Sequence, residues 1–248
     1  MKCWLVYITL LGSSAASTIL ESEAALCQTL VEEAQLNVDV GLEDVSVHRG
    51  ESFELSCSFF GAPQPKITWH HRGRRLDTHP GAQVETLLGM KRLGTSLLES
   101  RLRIPCADHR TAGEYFCEAT TPCSPPVTSS ALVTISKEPS TKQCKKASND
   151  PIEPWISLST VSRIELPHNV VQLECRARGT PQPTIEWHRI AEDETLESIE
   201  GSPNYTVIYN GDLIVVDNGD VVTESFRCTA SNSRGVAYAN STIIYMDR

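Results

Sequence analysis

The sequence lacks the short signatures of the common chemistries. It has no glycine-rich phosphate loop, no HExxH pair and no serine set in a nucleophile elbow. The usual nucleotide-binding, zinc-protease and serine-hydrolase designs are therefore excluded. Its carboxylates are scattered along the chain rather than paired for acid–base work. The net charge is −9, the wrong sign for a nucleic-acid binder. Beyond the first residues no apolar run approaches the ~20 that cross a bilayer. The final residues, Tyr245-Met246-Asp247-Arg248, lack the hydrophobic tail of a lipid-anchor signal. The expectation is no enzyme, no cofactor, no metal, no nucleic-acid partner and no membrane anchor.

What the chain does have begins with a leader. Met1-Lys2, an apolar run from Cys3 to Leu11 and the small residues Gly12-Ser13-Ser14-Ala15-Ala16 read as a secretory signal peptide, residues 1–16, cut after Ala16. Cleavage would remove Lys2 and Cys3, taking the side-chain charge from −9 to −10 and the cysteines from nine to eight. An even number of cysteines in a secreted chain reads as disulfides, because the compartment is oxidising. The expected location is extracellular.

The chain also repeats itself. Cys57 precedes Trp69 by the same interval that separates Cys175 from Trp187, and each pair is followed by a further cysteine, Cys117 and Cys228. The text between is nearly shared: Gly61-Ala62-Pro63-Gln64-Pro65-Lys66-Ile67-Thr68-Trp69 and Gly179-Thr180-Pro181-Gln182-Pro183-Thr184-Ile185-Glu186-Trp187. A period of this size means two units rather than one large domain. Each unit alternates with period two, as in Phe53, Leu55, Cys57 and Phe59 or Phe226, Cys228 and Ala230, which marks strands with one buried face. Short strands at regular spacing, separated by Gly/Pro turns, give an all-β fold of two sandwiches, with Cys57–Cys117 and Cys175–Cys228 bridging opposite sheets against the two tryptophans. The divisions expected are an N-terminal extension at 17–35, domain one at 36–136, a Pro- and Lys-rich linker at 137–154 and domain two at 155–248. A linker of that length would allow swivelling unless Cys144 within it is tied down.

Cys57, Trp69 and Gly113-Glu114-Tyr115-Phe116-Cys117 resemble an immunoglobulin domain of the intermediate set, with Tyr115 as the tyrosine corner. The family carries an Asp six residues before that cysteine; here it is Thr111, so one ion pair is missing. In the second unit Phe226 replaces the corner Tyr and Val222 the Asp. Cys27, Cys106, Cys123 and Cys144 remain, and four cysteines allow three connectivities. In this topology Cys27 and Cys123 fall near one end of the sandwich and Cys106 and Cys144 near the other. Bridging needs Cα atoms within ~7 Å, so the expected pairs are Cys27–Cys123 and Cys106–Cys144.

Few residues suggest a site. Asn204-Tyr205-Thr206 and Asn240-Ser241-Thr242 are N-glycosylation acceptors. The patch His70, His71, Arg72, Arg74 and Arg75 could bind sulfated glycans or an acidic partner surface, or be a solvated turn. Glu192, Asp193, Glu194, Glu197 and Glu200 make the matching region of unit two acidic; such a run is usually a solvated face, and the opposite signs also permit docking between the units or between molecules. A leader, two immunoglobulin-like units and a plain tail together resemble the secreted two-immunoglobulin, or zwei Ig, family. That resemblance implies a non-enzymatic binding protein that keeps axons and cell bodies in position through an extracellular or cell-surface protein partner. Asn210-Gly211-Asp212-Leu213-Ile214 and Cys228-Thr229-Ala230-Ser231-Asn232 are also similar to secreted proteins that bind insulin-like peptides. The alternative they imply is a soluble carrier or antagonist of such a peptide, with an apolar sheet face on domain one or across the junction.

Overall fold

The computed structural model describes residue 27 and residues 34–78, 94–136, 144, 151–219 and 222–246. The leader at 1–16 and most of the extension at 17–35 lie outside them. The described chain is all-β. Its first unit contains β1 (Gln35–Val40), β2 (Val45–Val47), β3 (Phe53–Ala62), β4 (Lys66–His71), β5 (Arg74–Thr78), β6 (Thr95–Ile104), β7 (Gly113–Thr121) and β8 (Ser124–Ile135). Its second contains β9 (Ile152–Glu165), β10 (Val170–Leu173), β11 (Cys175–Thr180), β12 (Thr184–Ile190), β13 (Leu196–Ser198), β14 (Tyr205–Val207), β15 (Leu213–Val216), β16 (Thr223–Asn232) and β17 (Gly235–Tyr245).

Alternation builds two cores, one per unit. In the first, β3 turns Phe53, Leu55, Cys57 and Phe59 inward and β7 turns in Tyr115, Cys117 and Ala119. Trp69 lies fully buried, and its indole N–H donates to Ser100 Oγ at 2.9 Å. In the second, Trp187 packs with Cys175, Cys228, Phe226 and Ile243 and donates to the Gly211 carbonyl at 2.8 Å. Each indole contributes ~3 kcal/mol through burial alone, and its one donor is satisfied, as a buried polar group requires.

Four disulfides staple the chain: Cys57–Cys117, Cys175–Cys228, Cys27–Cys123 and Cys106–Cys144. The last fixes a point within residues 137–154 to the turn after β6. The Tyr115 hydroxyl donates to the Thr111 carbonyl at 2.8 Å, forming the corner that Phe226 cannot make. The ion pair expected to be missing beside it has a local substitute. Asp108 accepts from Arg110 Nε at 3.0 Å and Nη2 at 2.9 Å, and that guanidinium holds its carboxyl below the usual range.

The strands form three sheets. One is β2-β8-β7-β4-β5 and one is β10-β15-β14. The third runs through both units in the order β1-β3-β6-β9-β17-β16-β12-β13, with β11 also paired to β9. Strand β9 makes this continuity. It starts at Ile152, inside the stretch whose prolines read as linker, and Pro154 sits where its register with β11 shifts, a place that tolerates a residue without an N–H. One edge of β9 pairs with β6, from Thr95 opposite Ile164 to Ser100 opposite Leu158. The other edge pairs with β11 and then, in parallel, with β17. The junction is a hydrogen-bonded ladder rather than a hinge.

A buried polar cluster locks that ladder. Arg163 of β9 is fully buried. It donates to Gln64 Oε1 at 2.8 Å and Ser96 Oγ at 2.7 Å in the first unit, and to Glu165 Oε2 through Nε at 3.1 Å and Nη2 at 2.8 Å. Glu165 also accepts from the Gly94 and Leu166 amides and from Asn169 Nδ2. Every charge is thereby paired and bonded, the condition for tolerating burial. Gly94 is demanded by the closeness of the strands, since a Cβ there would lie 1.8 Å from the Ile164 carbonyl oxygen.

Candidate interaction face

Register defines a shared outer face where β6, β9 and β17 run side by side. Residues directly opposite one another point the same way. Ser96, Arg163 and Ile243 stand in a row and all are buried, so along this stretch of β9 both units keep their cores on the same side; beyond the register shift at Leu97/Leu98, outward Glu99 stands opposite Ser159 and Ser159 opposite Cys175 of the second core, so the shared face ends there. The alternate residues therefore face out together: Phe60 and Leu97, then Ser162 and Thr242 beside them, and Ile164 opposite Ile244. Ile164 is 44% exposed and, further along β17, Tyr238 is 63% and Val236 66% exposed. Among these apolar groups lie fixed charges. Glu99 accepts from Ser56 Oγ at 3.0 Å and from Arg101 Nη2 at 3.0 Å, and that bond keeps the Arg101 guanidinium above its ordinary pKa.

Two depressions mark the junction. A notch of about 160 Å³ where β6, β9 and β17 meet is bordered by Glu99, Arg101, Val161, Tyr238 and Asn240 and reaches Ile156, Ser159 and Ala239 of the second unit. It is below the ~300 Å³ at which small-molecule sites begin. A larger cleft of about 450 Å³ opens where β6 and β9 diverge, lined by Arg103, Pro105, Ile152, Trp155, Arg178 and Thr180. Ion pairs brace its walls: Arg103 with Glu153 at 3.2 Å and Arg178 with Asp77 at 2.5 Å, the latter joining the two units.

The structure distributes the basic patch rather than assembling it. Arg72 and Gly73 form the two-residue turn between β4 and β5, both with positive φ, which is the type I′ geometry of tight hairpins. His71 is buried, stacked on Tyr115 at 4.1 Å, with its ring nitrogens at 3.0 and 3.1 Å from the Glu114 and Arg110 carbonyls. Arg72 Nη2 donates to the His109 and Ala112 carbonyls at 2.7 and 2.9 Å. These two residues thus brace the turn that carries the tyrosine corner. His70 approaches Glu118 at 3.9 Å on the other face of β4, and Arg74 and Arg75 are exposed. In the acidic stretch of unit two, Glu197 binds Arg189 of its own hairpin at 2.8 Å. Asn204 sits half-buried before β14, and Asn240 is exposed on the outer face of β17.

Sequence reasoning missed the joined face, Arg163 and Glu165. One signal was available: the hydroxyl run Ser157, Ser159, Thr160 and Ser162 is too small and uncharged for an exposed edge strand.

Two linked disulfide-and-tryptophan sandwiches define an immunoglobulin-type protein. Residues 38–121 match the family described as immunoglobulin domain. The chain is 31% identical to zwei Ig domain protein zig-3 of Caenorhabditis elegans over 209 residues, covering 83% of this chain and 79% of that one. It is 25% identical to neural cell adhesion molecule L1 of Takifugu rubripes over 199 residues, 80% of this chain and 13% of that protein. Among solved structures, the neural ectodermal development factor IMP-L2 aligns with a TM-score of 0.66 at 20% identity, covering 89% of this chain and 99% of that one; this likeness speaks for the fold. The chain belongs to the zwei Ig domain family, whose members are non-enzymatic binding proteins. Among the described residues no helix is long and apolar enough to cross a membrane.

Proposed function

We propose that this is a secreted extracellular protein that acts in neuronal adhesion, or in holding axons and cell bodies in position, by docking a cell-surface protein on the outer face of the joined sheet. The observation that carries the reading is that strand β9 joins the sheets of the two units, with Phe60, Leu97, Ile164, Ile244 and Tyr238 on the outward side of their strands among fixed charges. An apolar centre ringed by ordered polar groups is the anatomy of a protein-binding patch. The family and the adhesion protein among the relatives support the neuronal setting. A second reading rests on the same face: an apolar surface crossing the junction also suits an insulin-like peptide, for which the chain would be a soluble carrier.

The test uses the full chain, purified from the medium of secreting cells, to capture partners from neuronal cell surfaces and from conditioned medium. We expect a cell-surface protein to be retained by the natural chain and lost on Ile164→Asp, with the fold checked by circular dichroism. Retention of a small disulfide-rich hormone instead selects the carrier reading. Capture that is indifferent to both Ile164→Asp and Tyr238→Asp refutes the face as the docking site.

A further inference from the structure

Asn240 carries a glycan acceptor sequence on the very surface just described, and its geometry is specific. It lies directly opposite Arg227 in the β16–β17 ladder. Arg227 Nε donates to Asn240 Oδ1 at 2.9 Å, while the same guanidinium sits 4.7 Å from the Tyr238 ring centroid. A guanidinium is a donor only, so the side-chain oxygen must face it. The amide nitrogen is thereby turned away from Arg227. The rest of the acceptor triplet is fixed as well: Ser241 Oγ donates to the Thr160 carbonyl at 2.6 Å, and Thr242 Oγ1 meets Ser225 Oγ at 3.0 Å. Asn240 and Tyr238 both border the notch at the junction.

We propose that an N-glycan on Asn240 covers this notch and controls access to the end of the joined face that carries Tyr238. The modification joins Asn240 Nδ2 to the anomeric carbon of a lipid-linked oligosaccharide. The lipid pyrophosphate leaves with the bonding electron pair, and the amide gives up one proton. It takes place on the extended chain, before β17 pairs. Because the sugar attaches through nitrogen, Oδ1 stays available to Arg227, which then aims the first sugar outward over the surface. A glycan is bulky and hydrated, so it shields Tyr238 and Val161 while leaving the Ile164 and Ile244 end of the face open. The glycoform thus determines how much of the face a partner can use. The proposal rests on the docking reading for its consequence, but not for its chemistry.

The experiment separates the two. Full chain secreted from eukaryotic cells is compared with Asn240→Gln and with Asn204→Gln. The first readout is the intact mass and the glycopeptide spanning Asn240. The second is hydroxyl-radical labelling of Tyr238. We expect Asn240 to carry a glycan, and Tyr238 labelling to rise severalfold in Asn240→Gln while staying unchanged in Asn204→Gln. A bare Asn240, or equal Tyr238 labelling with and without its glycan, overturns the proposal and leaves the docking reading intact. Conversely, a glycan that shields Tyr238 on a chain whose partner capture ignores Ile164→Asp and Tyr238→Asp upholds the shielding and sinks the docking reading alone.

Discussion

Replacing Arg163 with methionine tests what holds the two units together. The side chain is completely buried and supplies donors to Gln64, Ser96 and Glu165, the first two across the junction. Methionine roughly fills the stem but provides no charge and no donor. Glu165 would keep its donors from Gly94, Leu166 and Asn169 and lose the Arg163 guanidinium. Stranding a buried charge in this way costs about 3–5 kcal/mol, a large share of the ~5–15 kcal/mol that a domain has in hand. Urea unfolding followed by tryptophan fluorescence measures the loss, and small-angle scattering reports whether the units part. The double variant Arg163→Met with Glu165→Met removes the stranded charge, so it should be less damaging than Arg163→Met alone. A single-variant loss under about 1 kcal/mol, the range of exposed pairs, with unchanged scattering would refute the reasoning.

Three further outcomes are expected. Gly94→Ala forces a Cβ to within 1.8 Å of the Ile164 carbonyl oxygen, and the resulting overpacking should cost about 1–3 kcal/mol, read as a lowered melting temperature. Replacing both Cys106 and Cys144 with serine opens a loop spanning 38 residues and should cost about 2–4 kcal/mol; the scattering profile should nonetheless be unchanged, because the β6–β9 ladder remains. Burial pushes the Tyr115 hydroxyl up from 10.0 to about 12, and it raises Tyr205 and Tyr245 as well. A raised phenol favours the neutral folded form, so its contribution is complete below pH 10 and declines from there through about 12; ultraviolet titration should show these phenols ionising only as unfolding sets in, and early ionisation of the folded chain would contradict their burial.

Local pattern made the two sandwiches legible. Period-two alternation around Cys57, Trp69 and Cys117 reports one buried face, and burial of that face is what the strands do. The pairing of β6 with β9 has no such local signature, because the hydrogen bonds of a strand edge are made by backbone groups common to all residues. Arg163 was hidden for a related reason: a charge in a strand normally reads as solvent-facing, and it takes partners such as Glu165, Gln64 and Ser96 to make its burial tolerable. The basic patch is divided by the fold in a way its text does not show. His71 is buried against Tyr115 with its ring nitrogens near the Arg110 and Glu114 carbonyls, while Arg72 stays exposed and donates to the His109 and Ala112 carbonyls. Asn240 was placed on the exposed side of its strand by the inward Ala239 and Ser241, but that its strand borders the junction could not be read from the triplet.

The shared strand has a consequence in time. Strand β6 ends at Ile104 and β9 ends at Glu165, so 61 residues must follow before the open edge of β6 can be closed by its own chain. At ~5–20 residues per second the ribosome leaves that edge bare for several seconds, with the cysteine-bridged first sandwich already able to form. An unpaired edge is a template for other strands. The vulnerable moment in the life of this molecule is therefore its synthesis, between the completion of its first half and the arrival of the strand that both halves own.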